Sequence, residues 1–442
     1  MTSENEIFDV IIIGCGPAGI AAAIDFQKIP NLKCRVLEAR NRVGGRVITD
    51  TITFGDDTPI DLGAQWLHHY RPENPLREHQ HLTKDTYLNY HFVIRSSTTP
   101  FFDIDGTKIS AKKVAEAEEI FNRLCKTIEE TILPIDKSIL DVLKDDFHEY
   151  EQITDKQIKR LIDLFFGIIE QYEASNLDQL STKSYIAGDK GLEGCNLAIP
   201  NGFGLFIQDI VRKHDLSVEL NTIVTRIDVL SNEELVRIST ANERTYLCRY
   251  VLVTIPLGCL KKQSIEFHPA LPDWKQNAID RMGVGISDKI FLQFSRIFWD
   301  STWTSIFCTS ARFRFILCRP ENRMLIVKLT ARVALEIEEK NEQETIDEIM
   351  NLLRSFFVDR EVPEPTRYLF TKWGQDKFSQ GSYSNFAVGT DNQTLIDLAR
   401  ECHERIYWAG EHANYDGTIG CVDSAFESGK HQAQRIAERF NK

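Results

Sequence analysis

The chain has 442 residues, 42% of them hydrophobic and 26% charged, with 14 Pro and 24 Gly, a composition that excludes wholesale disorder and collagen-like repeats. Its 52 basic residues against 65 acidic ones give a formal charge of -13, which argues against nucleic acid as a partner and favours a cationic small molecule. At roughly 150 residues per domain the length accommodates two or three domains.

Met1 to Asp9 carries three acids and no basic start, so a secretory leader is not expected. No apolar run reaches the roughly 18 residues of a membrane span, and no membrane partner is expected. Ten cysteines without any C-x-x-C pair imply reduced thiols and a cytoplasmic compartment.

Asp9 to Ile13 is a β-branched apolar run suited to a strand buried on both faces. Gly14, Gly16 and Gly19 follow in G-x-G-x-x-G spacing and open an alanine-rich helix. In that pattern the first glycine turns the chain, the second lets a pyrophosphate approach, and the third lets helix pack on strand. Cys34 to Glu38 supplies a second strand ending in an acid that can hold ribose hydroxyls, which completes a dinucleotide fingerprint. NAD and FAD both satisfy it. Arg40, Arg42 and Arg46, around Gly44 and Gly45, place guanidinium groups where they could clamp a pyrophosphate.

Further along, apolar residues recur at helical spacing from Lys112 to Ile132 and from Asp136 to Gln171, with Pro134 between. Asp136 to Asp178 holds eleven acids against five bases, read as a solvated helical face. Gly188 to Gly204 reads as a glycine-rich loop and Phe203 to His214 as a helix. Residues 217–220, 223–229, 235–239 and 250–255 alternate as strands, suggesting a small meander and a return strand. Taken alone, Lys289 is a solvent-facing lysine at the start of a strand running to Phe294, and Gln380 to Phe386 is a glycine turn. A helix is expected from Asp423 to Arg435. Strand material of the nucleotide-binding type thus recurs in separated segments, implying two interleaved domains.

Glu38 to Arg46, Asp61 to His68 and Tyr407 to His412 together resemble the flavin-dependent amine oxidases, and most of all their polyamine oxidase branch. The likeness runs from residue 9 to about 436 and is strongest at the two ends. It implies an α/β fold in which a Rossmann-type FAD-binding domain (1–80, 195–275 and 395–442) is interleaved with a mixed α+β substrate-binding domain (81–194 and 276–394). It implies FAD contacts at Gly14, Gly16, Gly19, Glu38, Arg40, Gly45, Arg46, Gly63, Ala64, Gln65, Trp66, Val224, Trp373, Gly410 and Glu411. Monoamine oxidases bind their flavin through a cysteine near residue 380, whereas this chain has none between Cys318 and Cys402, so the FAD is expected to be non-covalent.

The same resemblance implies that Lys289 reaches flavin N5 through water and that Tyr383 stands beside the flavin. It implies a channel histidine at His68 and substrate contacts at Glu173, Cys421 and Asp423. His69, Cys421 and Ser424 depart from the family pattern, and Cys421 stands where some members have a second cage aromatic. The implied reaction oxidises the carbon beside a polyamine nitrogen by hydride transfer to flavin N5, with imine hydrolysis and reoxidation by O2 to H2O2, in a monomer or weak homodimer. Oxidation of another amine or of an L-amino acid is the first alternative, Arg312 and Arg314 being the unassigned arginines. A catalytically weak flavin-bound interaction protein is the second. Histone demethylases of the family carry further segments that 442 residues do not accommodate.

Overall fold

The computed structural model describes residues 6–55, 58–70, 72–82, 99–145, 148–187, 195–199, 201–230, 234–415 and 418–440. The β-branched run forms the strand Ile7–Ile13, near the middle of an eight-stranded sheet. It lies parallel to Cys34–Leu37 on one side and to Thr245–Val253 on the other. From Val10 to Ile13 alternate residues enter separate cores: Val10 and Ile12 pack under the helices Pro17–Gln27 and Val422–Phe440, and Ile11 and Ile13 on the opposite face. Both faces being covered is why no polar residue interrupts Val10 to Ile13.

The meander is Val224–Leu230, Leu235–Thr240 and Thr245–Val253. Its third strand and the expected return strand are one continuous strand. Residues 245–248 pair antiparallel with the meander, and Val251 to Val253 pair parallel with Ile406–Trp408. The terminal helix crosses Pro17–Gln27 closely, since a Cβ on Gly429 would stand 2.1 Å from the Ala18 carbonyl oxygen.

A second sheet runs in the order Pro365–Phe370, Ser287–Phe294, Met324–Thr330, Phe315–Arg319, Ser305–Cys308 and Phe101–Phe102. Ile290, Leu292 and Phe294 pack with Ile346, Ile349 and Leu353 of the helix Glu342–Phe356. Strand alternation therefore turns Lys289 and Phe291 to the opposite face.

The helical region contains Ala111–Glu130 as expected, but the second stretch divides into Ile139–Asp145, His148–Gln152 and Lys156–Glu173. Asp155 causes the last break by capping a new helix, accepting from the Gln157 and Ile158 amides. Of the expected glycine loop, 188–194 and 200 lie outside the described residues, while Cys195–Ala198 is a strand antiparallel to Trp66–Tyr70. Among the described residues no helix is long and apolar enough to cross a membrane.

Candidate active site

A single cavity of about 1940 Å³ runs from the glycine turn to the gap between the second sheet and the helical region. Pockets for one drug-sized ligand are about 300–1,000 Å³, so this one has room for a dinucleotide and a substrate together.

Gly14 turns at φ +105, and a Cβ there would stand 2.7 Å from Thr254 Oγ1. A Cβ on Gly16 would meet nothing within 4 Å, so its backbone borders open space at the start of the helix, where free N–H groups favour an anion. Gly45 closes on Gly16 from the other side, its Cβ position 3.4 Å from Gly16 Cα. Gly19 does not line the cavity: a Cβ there would stand 2.1 Å from the Gly14 carbonyl oxygen, so this glycine serves helix packing. Glu38 is buried and fixed, accepting from the Cys15 amide at 2.7 Å and the Arg40 amide at 2.8 Å. Val224 lines the same arm. An open helix N-terminus, a close-approach glycine and a fixed acid at the second strand form a cradle that fits a dinucleotide.

The arginines are not free clamps. Arg40 forms a two-pronged pair with Asp376, at 3.0 and 2.6 Å, and Arg46 donates to Glu411 at 3.0 Å and to the Ser382 carbonyl at 2.9 Å. Arg42 is not on the cavity wall. These guanidinium groups tie residues 40–46 to segments more than 330 positions away. Glu411 is the knot of that tie: one oxygen takes Arg46, and the other takes the Ser384 amide and hydroxyl and the Gly420 amide. Burial alone would raise its pKa, but Arg46, His412 and Ser384 outweigh burial and hold it below the usual range. Gly410, also on the cavity wall, packs against the His412 ring.

Lys289 is only 4% exposed, which overturns its reading as a solvent-facing residue. Its Nζ lines the cavity and donates to the carbonyls of Asp61 and Gly63, both at 2.8 Å. Burial, then the Lys328 charge, push its pKa well down, against the pull of Asp61. The two carbonyls hold the amine in place on the cavity wall. Gly63 is required at this point, because a Cβ would stand 1.8 Å from the Arg46 carbonyl oxygen and 3.1 Å from Trp373 Cζ2. Ala64, Gln65, Trp66 and Trp373 continue the wall.

Tyr383 belongs to the short strand Tyr383–Asn385, not to a turn, and that strand pairs with Gly283–Gly285. Its hydroxyl donates to the carbonyls of Gln171 at 3.1 Å and Tyr172 at 2.9 Å, at the end of the helix Lys156–Glu173. His68, Glu173 and Cys421 line the cavity as well. Asp423 does not: it is buried in the first turn of the terminal helix, 3.5 Å from Asn74 Nδ2. Ser424 is also off the wall and donates to the Cys421 carbonyl at 2.7 Å. Gly417 and the side chain of His69 lie outside the described residues.

Three features escaped sequence reasoning. Lys328 and Arg319 line the cavity from strands whose register only the fold supplies. Asp288 and Glu338 form a buried carboxyl pair beneath Trp373, in which burial and then the neighbouring Glu338 carboxyl push Asp288 up to about 8. Asp376 carries no local signal, because its partner Arg40 lies 336 positions away in sequence.

Residues 17–437 match the family model of the flavin containing amine oxidoreductases, and the chain belongs to that family. It is 32% identical to polyamine oxidase 4 of Oryza sativa subsp. japonica, an alignment covering 98% of this chain and 89% of the relative. The probable polyamine oxidase 4 of Arabidopsis thaliana is 29% identical over 98% of this chain and 88% of its own. Lysine-specific histone demethylase 1 homolog 3 of Arabidopsis thaliana is 27% identical across 98% of this chain, which covers 30% of that relative. The chain is therefore a flavin-dependent amine oxidase.

Proposed function

We propose that the chain is an oxidase of polyamines that holds FAD non-covalently, with 1–80, 195–275 and 395–442 forming the FAD-binding part and 81–194 and 276–394 the substrate-binding part. The observation that carries this reading is the buried amine of Lys289, fixed by two backbone carbonyls with its free side on the cavity that the dinucleotide cradle opens into. FAD, when bound, supplies the two-electron acceptor for oxidation of the substrate C–N unit and passes those electrons to O2, giving H2O2.

The remaining work falls to the chain. The reacting nitrogen must be neutral for its lone pair to support the developing positive charge, and an apolar wall lowers an amine's pKa. Trp66, Trp373, Tyr383 and Phe386 provide that wall. Glu129, Asp136 and Asp391 line the exposed side of the cavity and attract a cation. Lys289, its pKa lowered by burial, holds its Nζ on the cavity wall as the chain's acid–base group, and the imine product leaves to be hydrolysed by water. Of the two arginines open to an L-amino-acid reading, Arg314 pairs with Glu170 at 3.1 Å and Arg312 with Glu336 and Glu348, and neither lines the cavity, which leaves Arg319 as the arginine of the second sheet on that wall, along with Lys328.

The test is Lys289→Met in the FAD-loaded protein. Retained flavin with reduction by spermine slowed by at least about a hundredfold, the size of a positioned acid–base group, supports the role. Reduction at the wild-type rate discards it.

A further inference from the structure

Alternation and register place a row of side chains across the cavity face of the second sheet: Lys289, Lys328, Phe315 and Phe307 are successive cross-strand partners. All four line the cavity. Partners in such a row have Cα atoms about 4.5–5.5 Å apart, so Lys328 stands beside the lysine nearest the chemistry. The two lysines differ in one respect. Lys289 is held by two carbonyls, whereas the amine of Lys328 has no hydrogen-bond or ion-pair partner among the described residues.

The acids of the cavity do not compensate it. Glu38 accepts from the Cys15 and Arg40 amides, Glu411 is tied to Arg46, Asp136 accepts from the Lys183 and Gly389 amides, Glu129 and Asp391 are exposed, and neither these nor Glu173 pairs with Lys328. A donor left unpartnered in a partly dry wall is costly, and a ligand oxygen relieves that cost. An ammonium at the same place meets a like charge. Burial supports the picture by pushing the Lys328 amine down to about 8, which leaves it mostly protonated at neutral pH.

We infer that Lys328 is a specificity-determining residue that takes a hydrogen-bond acceptor oxygen, amide or carboxylate, on the substrate arm lying along this sheet, and disfavours an ammonium there. This rests on the amine-oxidising reading of the site and names the substrate class within it: an amine carrying an acyl or carboxylate oxygen on one arm.

The test uses the FAD-loaded protein reduced anaerobically with dithionite, so that ligands bind without turnover, titrated calorimetrically with spermine, N1-acetylspermine and N1-succinylspermine. Lys328→Met is expected to weaken one or both acyl ligands at least about tenfold while spermine binds as tightly or more tightly, and Lys328→Arg to keep the wild-type preference. Loss confined to the succinyl compound assigns a carboxylate, and loss for both an amide-type oxygen. Equal change for all three ligands, or none, overturns the inference. Lys328→Gln replaces the Met variant if that one does not retain flavin. If the oxidised wild type is reduced by none of the three, polyamine oxidation fails as the function, and the binding ratios still decide Lys328.

Discussion

Asp288→Asn isolates the buried carboxyl pair beneath the cavity wall. Asp288 Oδ1 accepts from Thr371 Oγ1 at 2.8 Å and from the Trp373 amide at 3.0 Å, and Glu338 Oε1 accepts from the Gly374 amide at 2.6 Å. The two acids thus hold the loop that places Trp373 on the cavity. With Asp288 pushed up to about 8 by burial and by Glu338, the native state keeps a proton that the unfolded chain releases near pH 4. Its stabilisation is full below about pH 4 and is lost as pH rises through about 8, at up to about 1.4 kcal/mol per unit. Between pH 5.5 and 7.5 that is about 2.5 kcal/mol, or roughly 3 °C in melting temperature for a chain of this length unfolding as one unit. Asparagine keeps the acceptor oxygen and has no proton to lose. Thermal melts of both FAD-loaded proteins at the two pH values should show the wild type losing roughly 3 °C more than the variant. Equal losses would refute the shared proton.

Gly63→Ala should separate the Arg46 and Gly63 backbones, cost about 1–3 kcal/mol as overpacking, and lower the flavin-to-protein absorbance ratio; a variant with unchanged flavin content would contradict the close approach. Glu411→Gln removes the counter-charge of Arg46 within a buried knot, for which losses of about 3–5 kcal/mol are usual, so a melting temperature within 1 °C of wild type, about the size of assay scatter, would show that the knot is not structural. Acid precipitation of the purified protein should release the flavin into the supernatant, whereas flavin retained in the pellet would reveal a covalent bond. Tyr383→Phe removes the one O–H shared between two carbonyls at the end of the helix Lys156–Glu173 and should lower stability by about 1 kcal/mol, read by thermal melting; no change would show that the hydroxyl is not a tether.

What was legible in the sequence was local. Gly14, Gly16 and Glu38 could be placed because a strand, a turn, a helix and a second strand follow one another within 30 residues, and the structure shows that cradle as a cavity wall. Lys289 was misread from pattern alone, because a lysine opening an apolar strand looks the same whether its tip meets water or two carbonyls. Lys328 gave no signal, since its neighbour across the sheet is set by pairing and not by spacing. Arg40 and Arg46 line the cavity, but the acids that hold them there, Asp376 and Glu411, come from the far end of the chain and gave no local signal. Asp423 had the right charge and nearly the right position, but one turn of helix carries it behind the wall.

The measurement closest to the central claim is anaerobic mixing of the oxidised FAD-loaded protein with spermine, N1-acetylspermine, benzylamine and L-lysine while flavin absorbance is followed. Bleaching by one or both polyamines, and by neither benzylamine nor L-lysine, is the expected result. A yellow protein that no polyamine reduces, or one that L-lysine alone bleaches, would contradict polyamine oxidation.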